Sequence, residues 1–208
     1  MKRRSFLSYL GGKSLLANKI IPLIPQHSCY CEVFAGAAWV LFKKDESEVE
    51  IINDINTDLV TLYRVVKHHL DEFIRYFRWI LVARDEFERF KTERPEVLTD
   101  IQRAVRFYYL LRMGFSGKIR NPTFGVCATR APRLNLLRIE EDLSVAHLRL
   151  SRVFIENKPY DQRSSRDPED LPGLLDRGGR DHVLGWRRTE QPEGNRAADQ
   201  ELLRCEIR

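Results

Sequence analysis

A chain of 208 residues that is 43% hydrophobic can bury one substantial core, with room for a small appended unit. It contains no run of about 18 apolar residues, so no helical membrane span is expected, and its basic N-terminus lacks the apolar segment of a secretory signal. The net charge of +5 suggests a polyanionic partner. That charge is unevenly spread: residues 161–208 hold 9 arginines and 11 acidic residues, which leaves the basic excess in residues 1–160.

In chain order, the first feature is "FLSYLGGKSLLANKI", residues 6–20. Gly11-Gly12-Lys13-Ser14 has the look of a phosphate cradle, but Leu7 stands where that loop needs its first glycine and no apolar strand precedes it. The segment "SCYCEVF" (28–34) predicts a strand that ends in the small-residue turn "AGAAW", and "WVLFKK" continues as a helix. "VEIIND" (49–54) predicts a second strand that stops at an acidic residue. Residues 58–81 carry Leu59, Leu62, Val66, Leu70, Phe73 and Phe77 at helical spacing, with Thr57 or Asp58 as the expected cap. A further helix is predicted over 99–117, started by Thr99 or Asp100 and stopped by Gly114, with Phe107, Tyr108 and Tyr109 in its core face. "RVFIENKPY" (152–160) returns to strand character.

Strand, glycine turn, helix, strand is the opening of a doubly wound α/β fold, and the long helical stretch between strands reads as an insertion. In such a fold the turn glycine admits a ligand to the backbone, and the acidic residue ending the second strand accepts hydrogen bonds from ribose hydroxyls. Gly36 and Asp54 have that placement. The pattern serves NAD, FAD and S-adenosylmethionine alike, although the first turn lacks the full Gly-x-Gly-x-x-Gly of the nicotinamide enzymes. A turn glycine and a helix-capping aspartate are the structural alternatives for the same two residues.

The four cysteines (Cys29, Cys31, Cys127, Cys205) lack Cys-x-x-Cys spacing, and the adjacent His68 and His69 point about 100° apart on a helix. No metal is expected, and a reducing cytoplasm suits the composition. Residues 161–208 contain no lysine and a single aromatic residue, Trp186, a composition that buries too little apolar surface to offset chain entropy. This tail is expected to be disordered, either as a natural solvated extension or as the product of a shifted reading frame near residue 161.

"FLSYLGGKS", "EVFAGAAWVLF", "INDIN" and "YYLLRMGFSGKIRNPTFG", in that order, resemble the D12-class adenine-N6 DNA methyltransferases, a family of Dam-like and phage-type enzymes. The resemblance covers about residues 4–160. It implies a Rossmann-like S-adenosylmethionine-dependent methyltransferase fold with an inserted helical target-recognition domain. The divisions expected are 1–59 and 151–160 for the α/β part, 60–150 for the insertion and 161–208 for the tail. Tyr9, Lys13, Phe34, Gly36 and Asp54 fall on the family's cofactor-binding positions. Tyr9 stands where tryptophan is common, and Ala38 where many members have glycine. Lys13 would meet the methionine carboxylate or a nearby acidic group. In the insertion, Arg112, Ser116, Lys118, Arg120 and Asn121 are candidates for contact with double-stranded DNA, through phosphate or an adenine edge.

The family also orients the flipped adenine's amino group with an Asp-Pro-Pro-Tyr loop after a hydrophobic strand. This sequence contains no such tetrapeptide: "KPYDQ" lacks the aspartate, and "RDPED" has Asp167-Pro168 without the rest. Methyl transfer is therefore expected to be impaired in this chain, with a non-catalytic cofactor- or DNA-binding remnant as the alternative.

Overall fold

The computed structural model describes residues 5–7, 9, 11–125, 134–136 and 138–159, with the backbone alone at Ser116. Among the described residues, three short strands form one parallel sheet in the order β1 (Cys29–Glu32), β2 (Val49–Asn53), β3 (Val153–Glu156). Cys31 pairs with Ile51, and Ile51 with Phe154. Parallel neighbours need a crossover. Between β1 and β2 the crossover is α2 (Trp39–Lys43), preceded by the short α1 (Ala17–Ile20) ahead of the sheet. Between β2 and β3 it is, among the described residues, a run of five α-helices: α3 (Thr57–His68), α4 (Leu70–Phe77), α5 (Arg84–Thr92), α6 (Asp100–Met113) and α7 (Ile139–Leu150).

The helix expected over 58–81 is two helices. His69, at φ −136°, ends α3 and starts α4, and its carbonyl accepts the Phe73 amide. The break lets Phe73 and Phe77 turn their edges onto Tyr108 of α6, each with ring centroids 5.7 Å apart. The cap of α3 is also neither Thr57 nor Asp58. Asn56 fills that place, its side-chain oxygen accepting from the amides of Asp58 and Leu59. Helix α6 begins as expected, at a capping box in which Thr99 and Gln102 satisfy each other's amides, and ends at Gly114.

One aromatic residue joins the N-terminal segment to both crossovers. Phe6 packs edge-on against Phe42 of α2 and Tyr63 of α3, with centroids 5.8 Å apart in each pair, and stacks on Tyr108 of α6 at 6.3 Å. Phe107, Tyr108 and Tyr109 are buried, as their helical spacing predicts. The sheet and the five helices thus share a core, and α3 runs through the expected boundary at residue 60.

Away from that core, at the start of β2, lies a buried ionic cluster. Glu50 accepts from Lys44 at 2.6 Å and from both terminal nitrogens of Arg149 on α7, which also donates to the Leu41 carbonyl at 2.9 Å. Burial opposes ionisation of Glu50, but the hydrogen bonds and charges of Arg149 and Lys44 outweigh it and hold the carboxyl below its usual range. No helix among the described residues is long and apolar enough to cross a membrane. The tail from Tyr160 onward, with Asp167-Pro168, lies outside the described residues.

Candidate functional site

The carboxyl ends of β1 and β2 build the site. After Glu32 the chain turns through Val33–Ala38, a turn closed by Ala38 N–H donating to the Ala35 carbonyl at 2.7 Å and tied to β2 by Ala35 N–H on the Asn53 carbonyl at 2.9 Å. Two residues of this turn are left-handed, Gly36 at φ +50° and Ala38 at φ +48°. Glycine takes that conformation without strain, whereas alanine keeps a steric cost of about 1–2 kcal/mol. Ala38 is fully buried at the start of α2, so packing around its methyl group offsets that cost.

Asp54 ties the turn to the next helix. One carboxylate oxygen accepts from Gly36 N–H and the other from Asn56 N–H, both at 2.9 Å. A carboxylate has about four acceptor sites, so each oxygen keeps capacity for a ligand hydroxyl. From the other side, Tyr63 of α3 donates its hydroxyl to the Gly36 carbonyl at 2.7 Å. The turn is therefore fixed from β2 and from α3 before any ligand arrives.

The N-terminal segment closes over it. A β-carbon on Gly36 would lie 3.7 Å from the Tyr9 ring. Burial raises the Tyr9 hydroxyl's pKa, Asp54's charge raises it further, and a hydrogen bond with the Asn56 side chain works against both. Gly12 lets the segment come close: a β-carbon there would stand 3.0 Å from both Trp39 Nε1 and the Tyr9 carbonyl. Lys13 then reaches back to the end of β1, its ammonium 3.5 Å from the Phe34 carbonyl and 3.9 Å from Glu32 Oε1. Tyr9, Lys13, Gly36 and Asp54 are thus brought around one turn, with Phe34 and Ile55 exposing apolar side chains at its rim.

Four participants escaped the sequence reading. Asn56, Tyr63 and Trp39 hold the turn or its cover, as described. Glu32 is the most informative: it is 6% exposed, its Oε2 accepts from the Tyr30 hydroxyl and the Leu41 amide, both at 3.3 Å, and burial pushes its carboxyl up to about 7. A charged residue closing an otherwise apolar strand is the signal that could have found it.

The DNA-contact candidates sit on a loop after α6. Its base is an antiparallel bridge between Gly114 and Phe124, with Phe115 N–H on the Thr123 carbonyl at 2.8 Å. Phe124 rests edge-on against Phe87 of α5 and lies under the Arg84 guanidinium, 4.9 Å away. Lys118, Arg120 and Asn121 are exposed, and Phe115 is exposed beside them. Arg112 is different: it is half-buried on α6, its guanidinium 5.7 Å from the Tyr108 ring, and its Nε is buried without a hydrogen-bond partner among the described residues. The Ser116 side chain lies outside the described residues. Also among the described residues, no three His, Cys, Asp or Glu side chains are placed to share a metal ion.

The sequence profile of the D12 class N6 adenine-specific DNA methyltransferases matches residues 9–164, three-quarters of the chain. The chain belongs to this family. Among similar proteins, the DNA adenine methylase of Escherichia coli K12 is 36% identical over 123 residues, covering 57% of this chain and 44% of that one. The DNA adenine methylase of Serratia marcescens is 37% identical over 125 residues, 57% and 45% of the two chains. The type II methyltransferase M.MjaIII of Methanocaldococcus jannaschii is 32% identical over 125 residues, 56% and 39%. The chain spans less than half the length of these curated relatives.

Proposed function

We propose that the turn between β1 and α2 binds S-adenosylmethionine, and that the protein acts on adenine N6 in double-stranded DNA. The observation that carries this reading is the convergence of Tyr9, Lys13, Gly36 and Asp54 on one turn at the carboxyl ends of two parallel strands, where open α/β sheets hold their ligands. The residues present fit such a ligand. Gly36 leaves the backbone approachable, and Asp54 offers acceptor capacity to ribose hydroxyls. Lys13 supplies a cation for a carboxylate, and Phe34 and Ile55 supply apolar surface for a flat ring. When bound, the cofactor supplies an electrophilic methyl group.

In this reading the sheet is the start of a Rossmann-like domain, and the helices from about residue 60 to 150 form a DNA-recognition insertion. The exposed Lys118, Arg120 and Asn121 place cationic and amide groups on the loop that would face DNA. The 208 residues themselves hold no Asp-Pro-Pro-Tyr, and each preorganised contact of the kind that loop makes to an adenine amino group is typically worth roughly 3 kcal/mol in the barrier. These 208 residues by themselves are expected to bind cofactor and DNA and to transfer methyl groups poorly.

Calorimetry with S-adenosylhomocysteine tests the cofactor reading. A binding isotherm that Asp54→Ala weakens at least about tenfold is expected, a loss of roughly 1.4 kcal/mol or more, and the absence of heat with folded protein would overturn it. Incorporation of tritiated methyl into adenine-containing duplex DNA tests the second part, and robust incorporation would refute the impaired reading.

A further inference from the structure

Glu32 is a buried carboxyl with no role in the reading above. Groups from every neighbouring element face it: Lys13 on the N-terminal segment, the Tyr30 hydroxyl on β1, the Leu41 amide of α2, Lys44 just after that helix, and Tyr63 of α3. Lys13 bridges it to the candidate ligand turn, 3.9 Å from Oε1 and 3.5 Å from the Phe34 carbonyl, with its side chain one-quarter exposed. The two hydrogen bonds, from Tyr30 and Leu41, fix Oε2 and leave Oε1 toward Lys13.

We propose that Glu32 is a specificity-determining residue of the site: its carboxylate, seated beside Lys13, makes the site favour a ligand that is cationic at the sulfur position over a neutral one. The inference rests on the cofactor reading given above. With Glu32 ionised, the formal charges of Lys13, Glu32 and Asp54 leave one net negative charge around the turn, and with Glu32 protonated they cancel. A sulfonium cofactor carries one more positive charge than its thioether product. In a half-buried site that difference is felt over several ångströms, because the effective dielectric is well below that of water. Burial holds the Glu32 carboxyl at about 7, so the preference changes across neutral pH. Below that range the site treats the two ligands alike, and above it the cationic one binds better and the product leaves more readily.

The test compares sinefungin, whose amine puts a positive charge near the sulfur position, with neutral-sulfur S-adenosylhomocysteine by calorimetry on the full chain from about pH 6 to about pH 8.5. The ratio of the two affinities is expected to rise about three- to tenfold in favour of sinefungin across that window, and to stay flat in Glu32→Gln, which keeps the acceptor for Tyr30 and Leu41. A purely structural role would move both affinities together. A flat ratio in the wild type, or an unchanged rise in the variant, overturns the inference while leaving the cofactor reading intact. If neither ligand binds folded protein at any pH, the cofactor reading fails and takes this inference with it. A carboxyl-carbon NMR titration of Glu32 gives a readout free of ligand. Its midpoint should move upward in Lys13→Met, and an unmoved midpoint would show that the pair is not coupled and would also overturn the inference.

Discussion

At the scale of single residues, the candidate site is held by polar groups that already serve the fold. Asp54 is the clearest case: it fixes the amides of Gly36 and Asn56 while keeping acceptor capacity in reserve. The helix-cap reading of Asp54 gives way to Asn56, which caps α3, while Asp54 holds the Asn56 amide just before that helix. Glu32 shows the opposite bargain, a carboxyl kept in a place that penalises its charge. Because the folded state binds this proton more tightly than the unfolded chain does, protonated Glu32 is the better tolerated form. Stability should therefore fall as pH rises from the ordinary glutamate range, about 4.5, toward about 7. Urea denaturation midpoints measured across that window should decline for the wild type and lose most of the decline in Glu32→Gln.

At the scale of elements, what was legible depended on whether a feature was local. The capping box at Thr99, the Gly114 stop and the turn at Gly36 were readable because each depends on two or three neighbouring residues. The break at His69 was not, because the apolar spacing through Leu62, Val66, Leu70, Phe73 and Phe77 continues across it without glycine or proline. The contacts that α4 makes after the break are with Tyr108, distant in sequence. The Lys44–Glu50–Arg149 cluster was equally hidden, since its members lie on three separate pieces of the fold. It joins the end of α2, the start of β2 and the end of α7. Glu50→Ala would leave two cations short of their counter-charge, with Lys44 only 5% exposed, and such losses cost about 3–5 kcal/mol. Thermal or urea unfolding of that variant should show a loss of this size, and a loss under about 1 kcal/mol would mean the cluster is solvated in practice.

At the scale of the whole molecule, the candidate cofactor turn and the exposed cationic loop are linked through α6, which carries Tyr108 in the core and the loop at its end. The family resemblance pointed to both regions, but it could not say that Arg112 would be half-buried while Lys118 and Arg120 stand exposed. The distinction predicts different behaviour on duplex DNA. Neutralising Lys118 and Arg120 together should weaken binding and reduce the slope of log affinity against log salt by about 1–2. Arg112→Ala should act mainly through stability and leave that slope alone. Fluorescence anisotropy with a labelled duplex over a salt series separates the two.

The far side of the sheet carries a consequence of its own. Glu156 turns its carbonyl inward, to the Asp54 amide, so by strand alternation the carbonyls of Val153 and Ile155 face outward from β3. Lys67 donates to the first at 2.8 Å and Arg64 to the second at 3.4 Å, both from α3. A helix thus lends two cations to stopper the border of the sheet, much as lysine blunts exposed margins elsewhere in β proteins. An incoming strand would have to evict both charges before it could zip on. On that flank, the guard over the strand's outward carbonyls comes from a helix.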